Sequence, residues 1–138
     1  MKEMRINSLG IILHENKILA QKGTDPATGK VFWRLPGGGI EFGETSSEAL
    51  AREFLEEIGV GIKNEKLLTV IENIFTYNNT VGHEITFLYQ AELADATIYS
   101  KEIIKKLDKE NDSFEWVEVA GIKSGETILY PQASVQYL

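Results

Sequence analysis

Apolar and polar residues alternate along residues 6–13 and again along 17–21, with His14, Glu15 and Asn16 between them. A period of two predicts strands, so the chain should open with a hairpin. The polar stretch 22–30, with Pro26 and two glycines, predicts a loop, residues 31–35 a strand, and Pro36 its end. At Thr45 the period changes. Leu50, Ala51, Phe54, Leu55 and Ile58 recur at helical spacing, Thr45 and Glu48 form a capping box, and Gly59 supplies the left-handed residue that closes helices. A helix is expected from Thr45 to Ile58. Residues 66–77 and 84–93 are rich in β-branched and aromatic side chains and predict a second hairpin about the polar segment 78–82. Residues 99–107 predict a short helix, 114–119 another strand, and the segment after Pro131 a last helical turn or two. Hairpins mixed with a few helices, without repeat or linker, predict one α+β layered domain over residues 1–138.

Composition narrows what such a domain can do. The chain has 138 residues and no cysteine, so any nucleophile or metal ligand must be oxygen or histidine. Its net charge of −7, with no basic cluster, argues against a nucleic acid partner and leaves a small nucleotide as the expected one. No apolar run approaches the roughly 18 residues of a membrane span, so no membrane role is expected. The N-terminal residues Met1 to Arg5 mix charges and lack a secretory pattern, which predicts a cytoplasmic protein.

The chemistry concentrates in residues 38–60. On the predicted helix Glu53, Glu56 and Glu57 fall within one arc of roughly 100°, edging the apolar stripe. Like charges at this spacing destabilise a bare helix, and a bound cation relieves them. Mg²⁺ suits an all-oxygen site completed by water and substrate phosphate, with Mn²⁺ as the other candidate. The turn Pro36-Gly37-Gly38-Gly39 lets backbone approach metal or phosphate without side-chain obstruction, and one of its carbonyls, assigned to Gly38, is a further candidate ligand.

Gly38, Glu44, Arg52-Glu53-Phe54-Leu55-Glu56-Glu57-Ile58-Gly59-Val60 match every position of G-x5-E-x7-R-E-U-x-E-E-x-G-U, with U apolar. This stretch resembles the Nudix box, and the order of elements around it is similar to that family's α/β/α sandwich with a central mixed β-sheet. The resemblance implies metal-dependent hydrolysis of a diphosphate linkage in a nucleoside diphosphate joined to another moiety. Glu53, Glu56 and Glu57 would be metal ligands, Glu53 or a nearby acid the base, Arg52 an orienting group, and Glu44 a brace for the loop or a contact to metal through water. A distal acid ligand is assigned to Glu110, with Asp112 and Glu115 as competitors. The resemblance also admits a homodimer.

Gly37, Gly38, Gly39, Trp33, Arg34 and Tyr77 are the candidates for substrate contact. Strand alternation sends only one of Phe32 and Trp33 toward a substrate, and packing alone accounts for Tyr77 and Phe75. His83-Glu84 fits a solvated strand start better than a catalytic pair. An isolated acidic triplet would be read as a solvated face, but within the whole motif the catalytic reading prevails. Nucleoside triphosphates and dinucleoside polyphosphates are the favoured substrates. The alternative is a nucleotide-sensing domain that binds without cleaving.

Overall fold

The computed structural model describes residues 2–109 and 111–138. β1 (Met4–Ile11) is followed by β2 (Leu13–His14), β3 (Lys17–Thr24), β4 (Val31–Arg34) and β5 (Gly37–Gly39). Leu13 pairs with Ile18 and His14 with Lys17 across a turn in which Glu15 and Asn16 take positive φ. The predicted hairpin therefore exists, but β1 leaves it and joins a different sheet from β3. Burial explains the bend. Adjacent residues of an extended chain point to opposite faces, and Ile11 and Ile12 are buried in separate apolar clusters.

The predicted helix is α1 (Ser46–Glu57), with Thr45 and Glu48 forming the reciprocal capping box. Gly59, at φ 79°, follows its last turn. Leu50, Phe54 and Ile58 are buried, but Leu55 is 54% exposed. Five residues on from Leu50, Leu55 lies about 140° round the helix, whereas Glu57, seven residues on, returns to within about 20° of it. A glutamate thus takes a place on the buried face.

Next come β6 (Ile62–Tyr77) and β7 (Thr80–Leu93), joined by Asn78 and Asn79, both at positive φ. This is the second predicted hairpin with a tighter turn, of the two-residue kind that asparagine favours. The helix expected over 99–107 is not formed. A single 3₁₀ turn, Ala96–Ser100, is capped by Asp95, and β8 (Ile103–Lys105) follows. Ile104 faces Phe114 across the ladder and is 5% exposed, so pairing a β-branched run with a neighbouring strand buries more than a lone helical turn would. β9 (Ser113–Glu118), α2 (Val119–Ser124), β10 (Leu129–Tyr130) and a 3₁₀ turn, Gln132–Tyr137, complete the chain.

Two mixed sheets result. The first runs β5-β1-β7-β6, with β1 and β7 parallel. The second runs β10-β4-β3-β9-β8, with β2 added to β3 and with β10 and β4 parallel. The apolar stripe of α1 packs with Ile12, Tyr89, Leu93 and Phe114 in one cluster. Ile18, Leu88, Val117, Ile122 of α2 and Leu129 form the other. No helix of the described residues is long and apolar enough to cross a membrane.

Candidate active site

Two local devices set the start of α1. The capping box fixes the helix at Thr45, and Glu44 just before it accepts a hydrogen bond from the Glu41 backbone N–H at 2.9 Å. Arg52, two turns into the helix, reaches back to that residue. Its Nε and Nη2 donate to the two Glu44 oxygens at 2.7 and 2.9 Å, and Nη2 also donates to the Gly39 carbonyl at 2.9 Å. The remaining nitrogen, Nη1, lies 3.0 Å from Glu53 Oε1 and 3.3 Å from Glu56 Oε2. One planar guanidinium thus ties the loop, the glycine strand and two helix acids together, a task that suits its rigid fork of donors. The Arg52 hydrogen bonds hold the Glu44 carboxyl well down, at about 2.

Glu53 extends from α1 toward β5. A Cβ built on Gly38 would come within 2.5 Å of the Glu53 carboxyl carbon, so the bare backbone of Gly38 is what gives this carboxylate its place. Glu57 is 8% exposed, and burial pushes its carboxyl up to about 7 despite the opposing pull of Lys106. Lys106 Nζ lies 3.4 Å from Glu57 Oε1 and 3.4 Å from Gln21 Oε1, above the Phe114 ring. The backbone beside it docks on the same helix, since Leu107 N–H donates to the Glu57 carbonyl at 2.8 Å.

Glu53 and Glu57 open into a cleft of about 560 Å³. Gly37, Gly38, Gly39 and Lys106 line it beside them. Phe32, Tyr77 and Tyr130 line it too, the Phe32 ring centroid lying 6.1 Å from Tyr77 and 5.1 Å from Tyr130. The floor is polar, with Asn7 of β1 and Glu84 of β7 in diagonal positions on one face of the sheet.

The cleft gathers several of the residues singled out from sequence: Glu53, Glu57, Gly37, Gly38, Gly39, Arg34 and Tyr77. The glycines form the short strand β5 against β1 rather than a turn. Trp33 is corrected. It packs against the second apolar cluster, and Phe32 takes the cleft side. Arg34 is exposed, with its guanidinium carbon 5.8 Å from the Phe32 ring centroid. Glu56, half exposed, is held by Arg52 and lies outside the cleft lining. Among the described residues no three His, Asp or Glu side chains converge closely enough to hold an ion. Glu110 lies outside the described residues. Of its competitors, Asp112 pairs with Lys109, and Glu115 lines a separate surface depression beside Trp116.

Other cleft residues, Asn7 among them, carry no clear signal in the sequence. Lys106 and Tyr130 are remote in sequence from the box and belong to no local pattern. Glu84 was weighed together with His83, but alternation along β7 separates them. His83 turns away, with its Nε2 buried and without a hydrogen-bond partner among the described residues, while Glu84 faces the cleft.

Comparison with known proteins agrees with this architecture. An RNA pyrophosphohydrolase of Edwardsiella ictaluri is 43% identical over 49 residues, which are 36% of this chain and 28% of that protein. An 8-oxo-dGTP diphosphatase of Proteus vulgaris is 39% identical over 62 residues, 45% of this chain and 54% of the relative. The matched stretches thus span about half or less of those relatives' length. The crystal structure of a MutT NUDIX hydrolase from Burkholderia pseudomallei superposes with a TM-score of 0.64 at 22% identity, covering 86% of each chain. It shares the fold. The family model described as NUDIX domain matches residues 4–133, taking in the glycine strand, the acidic helix and both sheets around them, and the chain belongs to that family.

Proposed function

We propose that this chain hydrolyses the diphosphate linkage of a nucleoside diphosphate joined to another group, a nucleoside triphosphate or dinucleoside polyphosphate being the favoured substrate. One observation carries the reading. The Glu53 carboxylate, seated on the bare backbone of Gly38 next to buried Glu57, lines the same cleft as the rings of Tyr77 and Tyr130. The acids suit a cation-bridged diphosphate and the rings a base.

The residues present fit a hard divalent cation, Mg²⁺ or Mn²⁺. Glu53 and Glu57 offer oxygen donors, and Glu57, raised to about 7 by burial, gains from a positive neighbour. Glu56 would join them by leaving Arg52. The backbone ligand is better placed at Gly37 than at Gly38. Gly10 N–H donates to the Pro36 carbonyl and Ile40 N–H to the Ile6 carbonyl, so Ser8 and Gly38, midway between, form a hydrogen-bonded pair of the antiparallel ladder. The Gly37 and Gly39 carbonyls then point away from β1. Arg52 occupies the second, which leaves Gly37. When bound, the cation lowers the pKa of water and neutralises charge on the departing phosphate.

The protein's own groups do the rest. Glu53 takes the proton of the water that attacks phosphorus, and the bridging oxygen leaves with the other phosphorylated product. Arg52 fixes the Glu53 carboxylate from one side, and Lys106 adds positive charge beside the phosphates. Trp33 has no part in this scheme, and Tyr77, backed by the buried Phe32 ring, provides the stacking wall.

Phosphate release should be followed from nucleoside triphosphates, dinucleoside polyphosphates, nucleotide sugars and a 5′-triphosphorylated RNA, each with Mg²⁺, Mn²⁺ or chelator. The expected result is metal-dependent turnover of a small nucleotide, lost by several orders of magnitude in Glu57→Gln with the fold retained. Tight nucleotide binding without turnover of any of these would replace hydrolysis with sensing.

A further inference from the structure

The floor of the cleft carries hydrogen-bonding groups that the proposed hydrolysis leaves unused. Along the paired strands Arg5 lies opposite Glu84, and Asn7 opposite Thr86. Asn7 is 7% exposed and Thr86 fully buried, and the Thr86 hydroxyl donates to Asn7 Oδ1 at 2.5 Å. That bond fixes the amide plane and leaves Asn7 Nδ2, a donor, without a partner among the described residues. The Glu84 side chain is 18% exposed. Its nearest cation, Arg5 Nη1, is 3.9 Å from Oε2, too far for a hydrogen bond, and Arg5 itself is largely in solvent. A partly buried carboxylate and a fixed amide donor thus face the same cleft with no hydrogen-bond partner among the described residues. Both are free to bond what enters it.

We propose that Glu84 and Asn7 read the base of the substrate and select a guanine-type edge, in which two adjacent N–H donors lie beside a carbonyl. A carboxylate accepts two parallel N–H bonds, and the Asn7 amide donates to the neighbouring carbonyl oxygen. Adenine offers one amino group next to a ring acceptor, which a carboxylate repels. Glu84 and Asn7 line the same continuous cleft as Glu53, the glycine strand and Lys106, so a base held by the first pair is joined through one space to a diphosphate held by the others. Tyr77 and Tyr130, backed by the buried Phe32 ring, supply the wall on which the base stacks.

The inference rests on the hydrolytic reading for its substrate class, so its test includes a measurement that needs no turnover. Binding of GDP and ADP with Mg²⁺ should be measured by calorimetry on the wild type and on Glu84→Gln, together with kcat and KM for GTP and ATP. A preference for guanine of about 10- to 100-fold is expected, residing in KM and in binding rather than in kcat. It should vanish in Glu84→Gln, whose amide offers one donor and one acceptor, while the melting temperature stays within a few degrees. Asn7→Ser should weaken guanine binding without restoring adenine. Equal binding of the two diphosphates by the wild type, or a preference that survives Glu84→Gln, overturns the proposal whether or not the protein is a hydrolase. Guanine-selective binding without turnover would uphold it and sink the hydrolytic reading alone.

Discussion

Glu57 is the residue whose chemistry the fold changes most. Burial raises its carboxyl from 4.5 to about 7, so between those values the folded chain keeps a proton that the unfolded chain has lost. Stability of the metal-free protein is therefore highest below pH 4.5 as far as this group decides it, and the contribution is lost as pH rises to about 7. Glu44 acts elsewhere on the scale. Held down at about 2, it contributes stability above pH 4.5 that is lost only toward that lower value. Calorimetry in chelator should show a lower melting temperature at pH 8 than at pH 5, and Glu57→Gln should flatten the difference. An unchanged slope in that variant would mean that Glu57 is not the group that titrates. The glutamate itself was legible from sequence, because a fixed spacing in the box names it. Its burial was less so, since only the wheel position opposite Leu55 reveals that a charged residue replaces an apolar one. Lys106, which pairs with it, approaches from a strand and loop that no spacing connects to the helix.

At the scale of elements, α1 and β5 were readable in unequal measure. The capping box and Gly59 are local signals, acting within one helical turn, and the helix they predict is the one that forms. The strand of glycines was hidden by composition, because three residues without side chains show no alternation and look like a turn. Its two first glycines serve different ends, and alanine should separate them. At Gly37, where φ is 135°, a Cβ would lie 2.1 Å from the Ser8 carbonyl oxygen, so Gly37→Ala should disrupt the pairing of β5 with β1 and lower the melting temperature. At Gly38 the obstacle is the movable Glu53 carboxylate. Gly38→Ala should leave the melting temperature nearly unchanged and cost about 10- to 100-fold in activity by displacing that acid. Equal thermal damage from both substitutions would refute the distinction. The choice between Phe32 and Trp33 was undecidable locally, since alternation gives opposite faces and both rings are apolar enough for either.

Across the whole molecule, the cleft exists because two sheets approach each other, and no stretch of sequence announces that approach. The departure of β1 from its hairpin depends on where the clusters around Ile11 and Ile12 lie, a property of the assembled core. Asp25 shows how the two sheets are tied at the rim. Its carboxylate accepts from Ala27 N–H in its own loop and from Asn78 N–H at the tip of the long hairpin, at 2.9 and 3.0 Å. Asp25→Ala should speed amide exchange at Asn78 and raise KM, and unaltered protection of that amide would show the tie to be incidental. The parallel pairing of β1 with β7 has a consequence for the order in which the protein is made. β1 lies inside its sheet, between β5 and β7, and its partner on one side ends at residue 93. On a ribosome, β1, β5 and the acidic helix emerge well before that partner does. One long flank of β1 must therefore wait unpaired for several seconds at ordinary rates of translation, open to a chaperone or to a neighbouring nascent chain.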